Sequence, residues 1–162
     1  MISDMLSRGF SRNQRIVHAQ AEGLSHQQSL TQTEYNINCF NWVLGHVVNA
    51  RSQLLVRLFG AEAVMSEDQA ARYLRESDPI TGDGPGVIEF AELLALLDAS
   101  GEALESVLAG ADDEFMGEET SVDDGRMASR AAQVMFTYFH DTYHVGQTDL
   151  LRQMAGFSDK II

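Results

Sequence analysis

The chain has 162 residues, 44% of them hydrophobic, with two prolines and a formal net charge of −13. This composition predicts one domain over 1–162 with enough apolar content for a sizeable core, and it excludes a disordered chain. No apolar run reaches the roughly 18 residues needed to cross a bilayer, and the single cysteine excludes an internal disulfide framework.

The opening stretch, MISDMLSRGFSRNQR, lacks the basic-then-apolar layout of a secretion signal. Together with the cysteine count, this predicts a cytoplasmic address and no membrane partner. Hydrophobic periodicity then predicts four long helices. The first covers about 2–22, with Ile2, Met5, Phe10, Ile16 and Val17 as its apolar positions. GLSHQQSLTQT interrupts it with glycine and hydroxyl residues. The second runs from about Asn38 to Leu58, with Asn36 or Asn38 as N-cap and Gly60 just past its end. A short extra helix is predicted at 66–76, opened by Ser66 with Glu67 and Asp68 in its first turn. ESDPITGDGPG reads as a loop.

The third long helix, about 87–108, places Phe90, Leu94, Leu97, Gly101, Leu104 and Leu108 at alternating spacings of four and three. That is the seam of packed helices. The fourth spans about 126–154, from Met127 through Val134, Met135, Tyr138 and Phe139 to Leu151 and Met154, closed by Gly156. No alternating run bounded by turn residues competes as a strand. The fold class is all-α, a four-helix bundle.

Charge is unevenly spread. Residues 1–57 hold five arginines against three acids, whereas the rest of the chain has 6 basic and 21 acidic residues, a local −15. This balance argues against nucleic acid as a partner, because neutralising phosphates needs a basic surface. ADDEFMGEETSVDDG (111–125) holds seven acids and no base. A solvated loop is the favoured reading, with an acidic docking segment or weak cation site as the alternative. The order of an EF-hand loop is absent.

FHDTYHVGQ, residues 139–147, carries His140 and His144 four apart. On a helix such residues differ by about 40° in direction and about 6 Å in height, so both can reach one ion. Gln133, Thr137 and Gln147 share that face. Taken alone, the pair reads as two histidines that are exposed or in ordinary core hydrogen bonds, with a metal site as the alternative. NWVLGHVVNAR, 41–51, adds His46 in a strongly apolar stretch beside Gly45. A buried imidazole needs partners for both nitrogens, and aliphatic neighbours offer none. A metal takes one nitrogen, and a carbonyl or water the other. Trp42 and Asn49, one turn either way, flank the same pocket. Three neutral histidines from two helices suit a first-row divalent ion with open coordination positions.

NWVLGHVVNAR followed by HDTYHVGQTDLLRQMAGF closely resembles the DinB/YfiT-like superfamily of metal-binding four-helix bundles. The resemblance implies metal ligands at His46, His140 and His144, with Gly146 and Gln147 completing the second motif. LLRQMAGF is similar to the family's usual ending. The specific matches are confined to 41–51 and 139–157.

As activity, the resemblance implies a metal-dependent transferase acting with a low-molecular-weight thiol on a small-molecule substrate. It also implies a homodimer, and apolar surplus on the second and third long helices points the same way. Zinc or nickel is the expected metal. The alternative is a non-enzymatic, metal-stabilised binding or stress-response module. Neither Asp141 nor Tyr143 is assigned a catalytic role, because each points about 100° away from its neighbouring histidine.

Cys39, seven residues before His46, lies about 10 Å from it along the helix axis and reads as a buried structural thiol, with a pocket-lining nucleophile as the alternative. His18 and His26 read as surface residues, and Arg51 with Arg57 as a solvated face, with a bracket at the bundle end or a site for an anionic substrate as the alternatives. Three competing chemistries lack their motifs: the paired Glu-x-x-His of di-iron bundles, the C-x-x-C-H of haem attachment and the G-x-S-x-G of serine hydrolases.

Overall fold

A computed structural model describes residues 1–35, 37–122, 125–159 and 161. In chain order its elements are α1 (Ile2–Ala21), α2 (His26–Ser29), α3 (Phe40–Phe59), α4 (Glu67–Ala71), α5 (Phe90–Ala109), α6 (Asp113–Gly117), β1 (Glu119–Ser121), β2 (Met127–Ser129) and α7 (Arg130–Met154). The four long helices form an all-α bundle in which α1 and α3 each pack against both α5 and α7. No helix among the described residues is long and apolar enough to cross a membrane.

The helix ends follow local chemistry. Gly60 ends α3 in the left-handed region at φ 62°, its amide reaching back to the carbonyls of Leu55 and Val56. Ser66 opens α4 with a reciprocal capping box to Gln69, and Ser129 caps α7 through the amide of Ala132. Cys39 holds the N-cap position of α3, not Asn38, and makes no side-chain cap bond there. Asn36, the other candidate, lies outside the described residues.

Three expectations need correction here. The stretch GLSHQQSLTQT is not purely irregular: Ser25 and Gln28 form a capping box that starts α2. The acidic segment likewise contains α6, capped by Asp112, whose carboxylate accepts from the amide of Phe115. Asp123 and Asp124 of that segment lie outside the described residues. Thirdly, α7 begins at Arg130, because 127–129 pair in β2 with β1, antiparallel, in the register Glu119↔Ser129 and Ser121↔Met127. Neither strand has a buried face to mark it in sequence. Backbone pairing and the Gln133 amide, which donates to Thr120 Oγ1 (2.8 Å) and the Ala128 carbonyl (3.1 Å), hold the hairpin instead.

The core divides into two clusters. One is built around Phe40, Trp42, Val43, Leu44, Val48, Tyr73 and Leu93, the other around Phe10, Leu54, Leu55, Leu104 and Leu108. Along α5 the expected seam is buried at Phe90, Leu97, Leu104 and Leu108, with Leu93 and Ser100 taking the intervening turns. At Gly101 the missing side chain makes room for the Gln14 amide, whose Oε1 lies 2.0 Å from where a Cβ would stand.

The apolar positions at the two chain ends fare differently. Ile2 and Met5 face solvent, and the buried side of α1 runs through Leu6, Phe10, Asn13, Val17 and Gln20. On α7, Val134 and Leu151 enter the core, while Met135 and Phe139 are exposed. The apolar surplus expected on α3 and α5 is therefore largely internal, and the exposed aromatic stripe belongs to α7.

Arg51 is fully buried rather than solvated. Its guanidinium meets Asp141 of α7 and reaches Gln14 of α1 and Ser100 of α5, both at 3.3 Å. Asn13 Nδ2 donates to the same carboxylate at 3.1 Å, so one polar knot ties together all four long helices. A buried charge is tolerated only when paired and hydrogen-bonded in this way. His26 is likewise not a surface residue: its side chain is 19% exposed, and Nδ1 accepts from the amide of Phe90, the first residue of α5. His18 is half-exposed and lies 2.6 Å from Asp98. Cys39 is buried as expected, and burial pushes its thiol pKa up, away from reactive thiolate.

Candidate metal centre

His46 stands in the middle of α3, where its neighbours on the same helix, Val43, Leu44, Val47 and Val48, are buried aliphatics. Its imidazole is satisfied from outside the helix. Nδ1 donates to the carbonyl of Tyr73 at 2.8 Å. The ring stacks on Trp42 with centroids 4.7 Å apart and planes 14° from parallel. Trp42 is itself fixed, its Nε1 donating to Ser77 Oγ at 2.9 Å.

Tyr73 is the residue that sequence patterning misses. It follows α4, and its ring lies against Gly45, where a Cβ would fall 2.2 Å from a ring carbon. Its hydroxyl donates to Asn41 Oδ1 (3.0 Å) and accepts from the amide of Ile88 (2.8 Å). Desolvation pushes that hydroxyl's pKa up to about 12, so it remains a donor at neutral pH. The one sequence signal was Gly45 itself, since a glycine inside an apolar helix marks a place where another group approaches closely.

On α7 the i,i+4 spacing does what helix geometry requires. His140 Nε2 lies 3.2 Å from His144 Nε2 and 3.1 Å from His46 Nε2 across the interface. One ligand-capable atom from each of the three histidines falls within 4.8 Å of the others, so the group could hold a metal ion. His144 Nδ1 donates to Gln147 Oε1 at 2.6 Å. Because a carbonyl oxygen only accepts, both His46 and His144 carry their hydrogen on Nδ1, leaving the lone pair on Nε2.

The electrostatics favour ligation. Desolvation pulls the pKa of all three histidines below the ordinary value, and mutual repulsion adds to this at His46 and His140. For His140 the value falls to about 4. The cluster is thus uncharged at neutral pH, with nitrogen lone pairs crowded together, an arrangement that a cation relieves. Metal–nitrogen bonds of about 2.0–2.1 Å at near-tetrahedral angles need ligand nitrogens about 3.3 Å apart, close to the spacings found. The residues fit a divalent ion.

The remaining expectations sort by geometry. Gln147 supports His144 through the oxygen it would otherwise offer to a metal. Asn49 lines the hollow beside His46 and His140, and its Oδ1 accepts from Gln53 at 3.4 Å. Thr137 lines that hollow too, whereas Gln133 turns to the hairpin. Asp141 points into the core toward Arg51, and Tyr143 packs edge-on to His144 at 5.5 Å. At Gly146 a Cβ would meet nothing within 4 Å, so packing within the chain does not explain that glycine.

The hollow at His46 and His140 encloses about 390 Å³ between α3, α7 and the segment around Leu74 and Arg75. It gives a small molecule access to the edge of the cluster.

Comparison with known proteins agrees with this architecture. A solved structure of a conserved protein from Enterococcus faecalis superposes with a TM-score of 0.75 at 14% identity, covering 94% of this chain and 96% of that one. At that identity the likeness speaks for the fold alone. No curated protein matches the chain. The family model described as the DinB superfamily matches residues 10–148, a span that takes in all three histidines, the whole of α3 and α7 as far as Thr148. By that match over most of its length, the chain belongs to the DinB superfamily.

Proposed function

We propose that His46, His140 and His144 hold one divalent ion, zinc or nickel, and that the protein is a transferase acting with a low-molecular-weight thiol. The observation that supports this most is the convergence of three imidazoles with two Nδ1 hydrogens tied to carbonyl oxygens. Backbone and amide partners of this kind orient metal-ligating histidines. Among the described residues, no other histidine, cysteine or carboxylate joins the three. A site closed for purely structural use normally has four protein ligands.

A divalent ion in such a site lowers the pKa of a coordinated thiol, so that sulfur is presented as the thiolate. The chain's own residues do the rest. His46 and His140 form the inner wall of the hollow, Trp42 and Tyr73 hold His46 in orientation, and Gln147 holds His144. Transfer would join the thiol sulfur to an electrophilic carbon of the second substrate, with the leaving group taking the bonding pair and the thiol proton going to solvent. The one cysteine, buried and unpaired, is in keeping with the cytoplasm, where such thiols stay reduced.

The test is cobalt substitution of tag-free protein followed by titration with bacillithiol, mycothiol and glutathione. A sulfur-to-metal charge-transfer band, with turnover of an electrophile that disappears in His144→Ala, is the expected result. Tight metal binding with neither band nor turnover across the panel would replace this reading with the metal-stabilised binding module.

A further inference from the structure

The hollow at His46 and His140 does not end there. It runs past Asn49 and Gln53 to Arg57, Arg75 and Phe136. A second hollow, about 570 Å³, shares those last three residues and continues to Arg126 beside the hairpin. The chain as a whole has 24 acidic residues against 11 basic ones. Along these two hollows the proportion inverts: three arginines line them and, among the described residues, no carboxylate does.

The arginines stand where a ligand meets them. Arg75 is 89% exposed, with only a loose 3.8 Å approach to Glu76. It lines the same hollow as His46 and His140. Arg57 and Arg126 have interactions of their own. A guanidinium offers five N–H donors in a planar fork, enough for a neighbour and a ligand together. Between the arginines lie Phe136, 68% exposed, and Leu74, 44% exposed, an apolar surface open to a ligand. Guanidinium forks beside an aromatic face are the chemistry that recognises a carboxylate or phosphate carried on an apolar body.

We infer that this groove binds a small organic anion. Its carboxylate or phosphate sits among Arg57, Arg75 and Arg126, its apolar body lies on Phe136 and Leu74, and its far end reaches the histidine cluster. The placement of that far end rests on the reading of the histidines as the reacting centre; the anion site does not. The groove thereby selects a negatively charged substrate or thiol in a protein whose overall charge would repel one.

The experiment titrates the full-length, isotope-labelled protein with phenyl phosphate, 3-phenylpropionate and neutral 3-phenylpropanol, with and without added zinc. Saturable amide shifts at Leu74, Arg75 and Phe136 are expected for the two anions, weakening as salt is raised. The tighter of the two tells phosphate from carboxylate as the natural group. Arg57→Gln and Arg75→Gln should each weaken anion binding about tenfold or more, the loss expected for a charge-assisted contact. Arg8→Gln, outside the groove, should leave it unchanged. Equal binding of the neutral alcohol, unaltered affinity in both arginine variants or the absence of any saturable shift would each overturn the proposal. If the parent protein takes up no zinc yet still binds the anions, the groove stands and the metal-centred reading falls.

Discussion

Arg51 and Asp141 form a two-pronged ion pair in the middle of the bundle, Nε to Oδ1 at 3.1 Å and Nη2 to Oδ2 at 2.7 Å. Arg51 follows His46 by five residues on α3, and Asp141 directly follows His140 on α7. The pair thus fixes how α3 and α7 register at the level where their histidines meet. Removing one partner leaves an uncompensated buried charge, which costs about 3–5 kcal/mol. Asp141→Ala should lower the melting temperature by about 10 °C in a chain of this size. Arg51→Met with Asp141→Leu should recover much of that loss in thermal denaturation. If the single variant melts as the parent does, the pair contributes nothing to stability.

For the metal, each histidine is expected to count. His46→Ala, His140→Ala and His144→Ala should each lose most bound metal, since two imidazoles hold an ion far less tightly than three. Elemental analysis of tag-free protein, with helix content followed by circular dichroism, reads this out. Full occupancy in His46→Ala would remove α3 from the site.

Gly45 links fold and site. Gly45→Ala would put a methyl group 2.2 Å from the Tyr73 ring, so that ring and its carbonyl must move away from His46. Overpacking of this kind costs about 1–3 kcal/mol, and metal affinity should fall along with stability. Denaturant unfolding and competitive chelation together check it; parental values in both would mean that Tyr73 does not orient His46.

The pH dependence of the metal-free protein follows from the histidines. Their folded pKa values lie below the unfolded value near 6.5, with His140 at about 4. In that interval the unfolded chain binds more protons than the folded one. Stability is therefore fully present above about pH 6.5 and is lost as pH falls from there toward about 4. Melting temperatures measured across this range should decline, and the decline should be shallower in His140→Gln. A flat profile through the interval would contradict the depressed values.

Assembly is expected through α7. Phe139, Tyr143 and Leu150 recur at spacings of four and seven and are 57–62% exposed. Residues 131–148 contain one carboxylate, Asp141, which is buried, and no lysine or arginine. In a chain of net charge −13, this face lets two copies approach without charge repulsion. Sedimentation should show a dimer at micromolar concentration, and Phe139→Glu should convert it to monomer. A monomeric parent protein would rule this face out as the interface.

The sequence by itself determined the order of the four long helices, the stop at Gly60, the start at Ser66 and which three histidines to look for together. Spacing along one helix fixes direction around its axis, so an i,i+4 pair and a histidine among aliphatics are legible without a fold. It could not tell Arg51 from Arg57: both are arginines on one helix, and what buries the first is a carboxylate 90 residues away. It missed the Tyr73 carbonyl because every residue has one, and only the packing of its ring against Gly45 aims this one at His46. It missed the hairpin because neither strand has an apolar face, and pairing between backbones leaves no mark on side-chain pattern. The arginine-lined groove is likewise a property of the fold alone, because Arg57, Arg75 and Arg126 come from three separate segments that meet only when α3, the Arg75 loop and the hairpin are packed together.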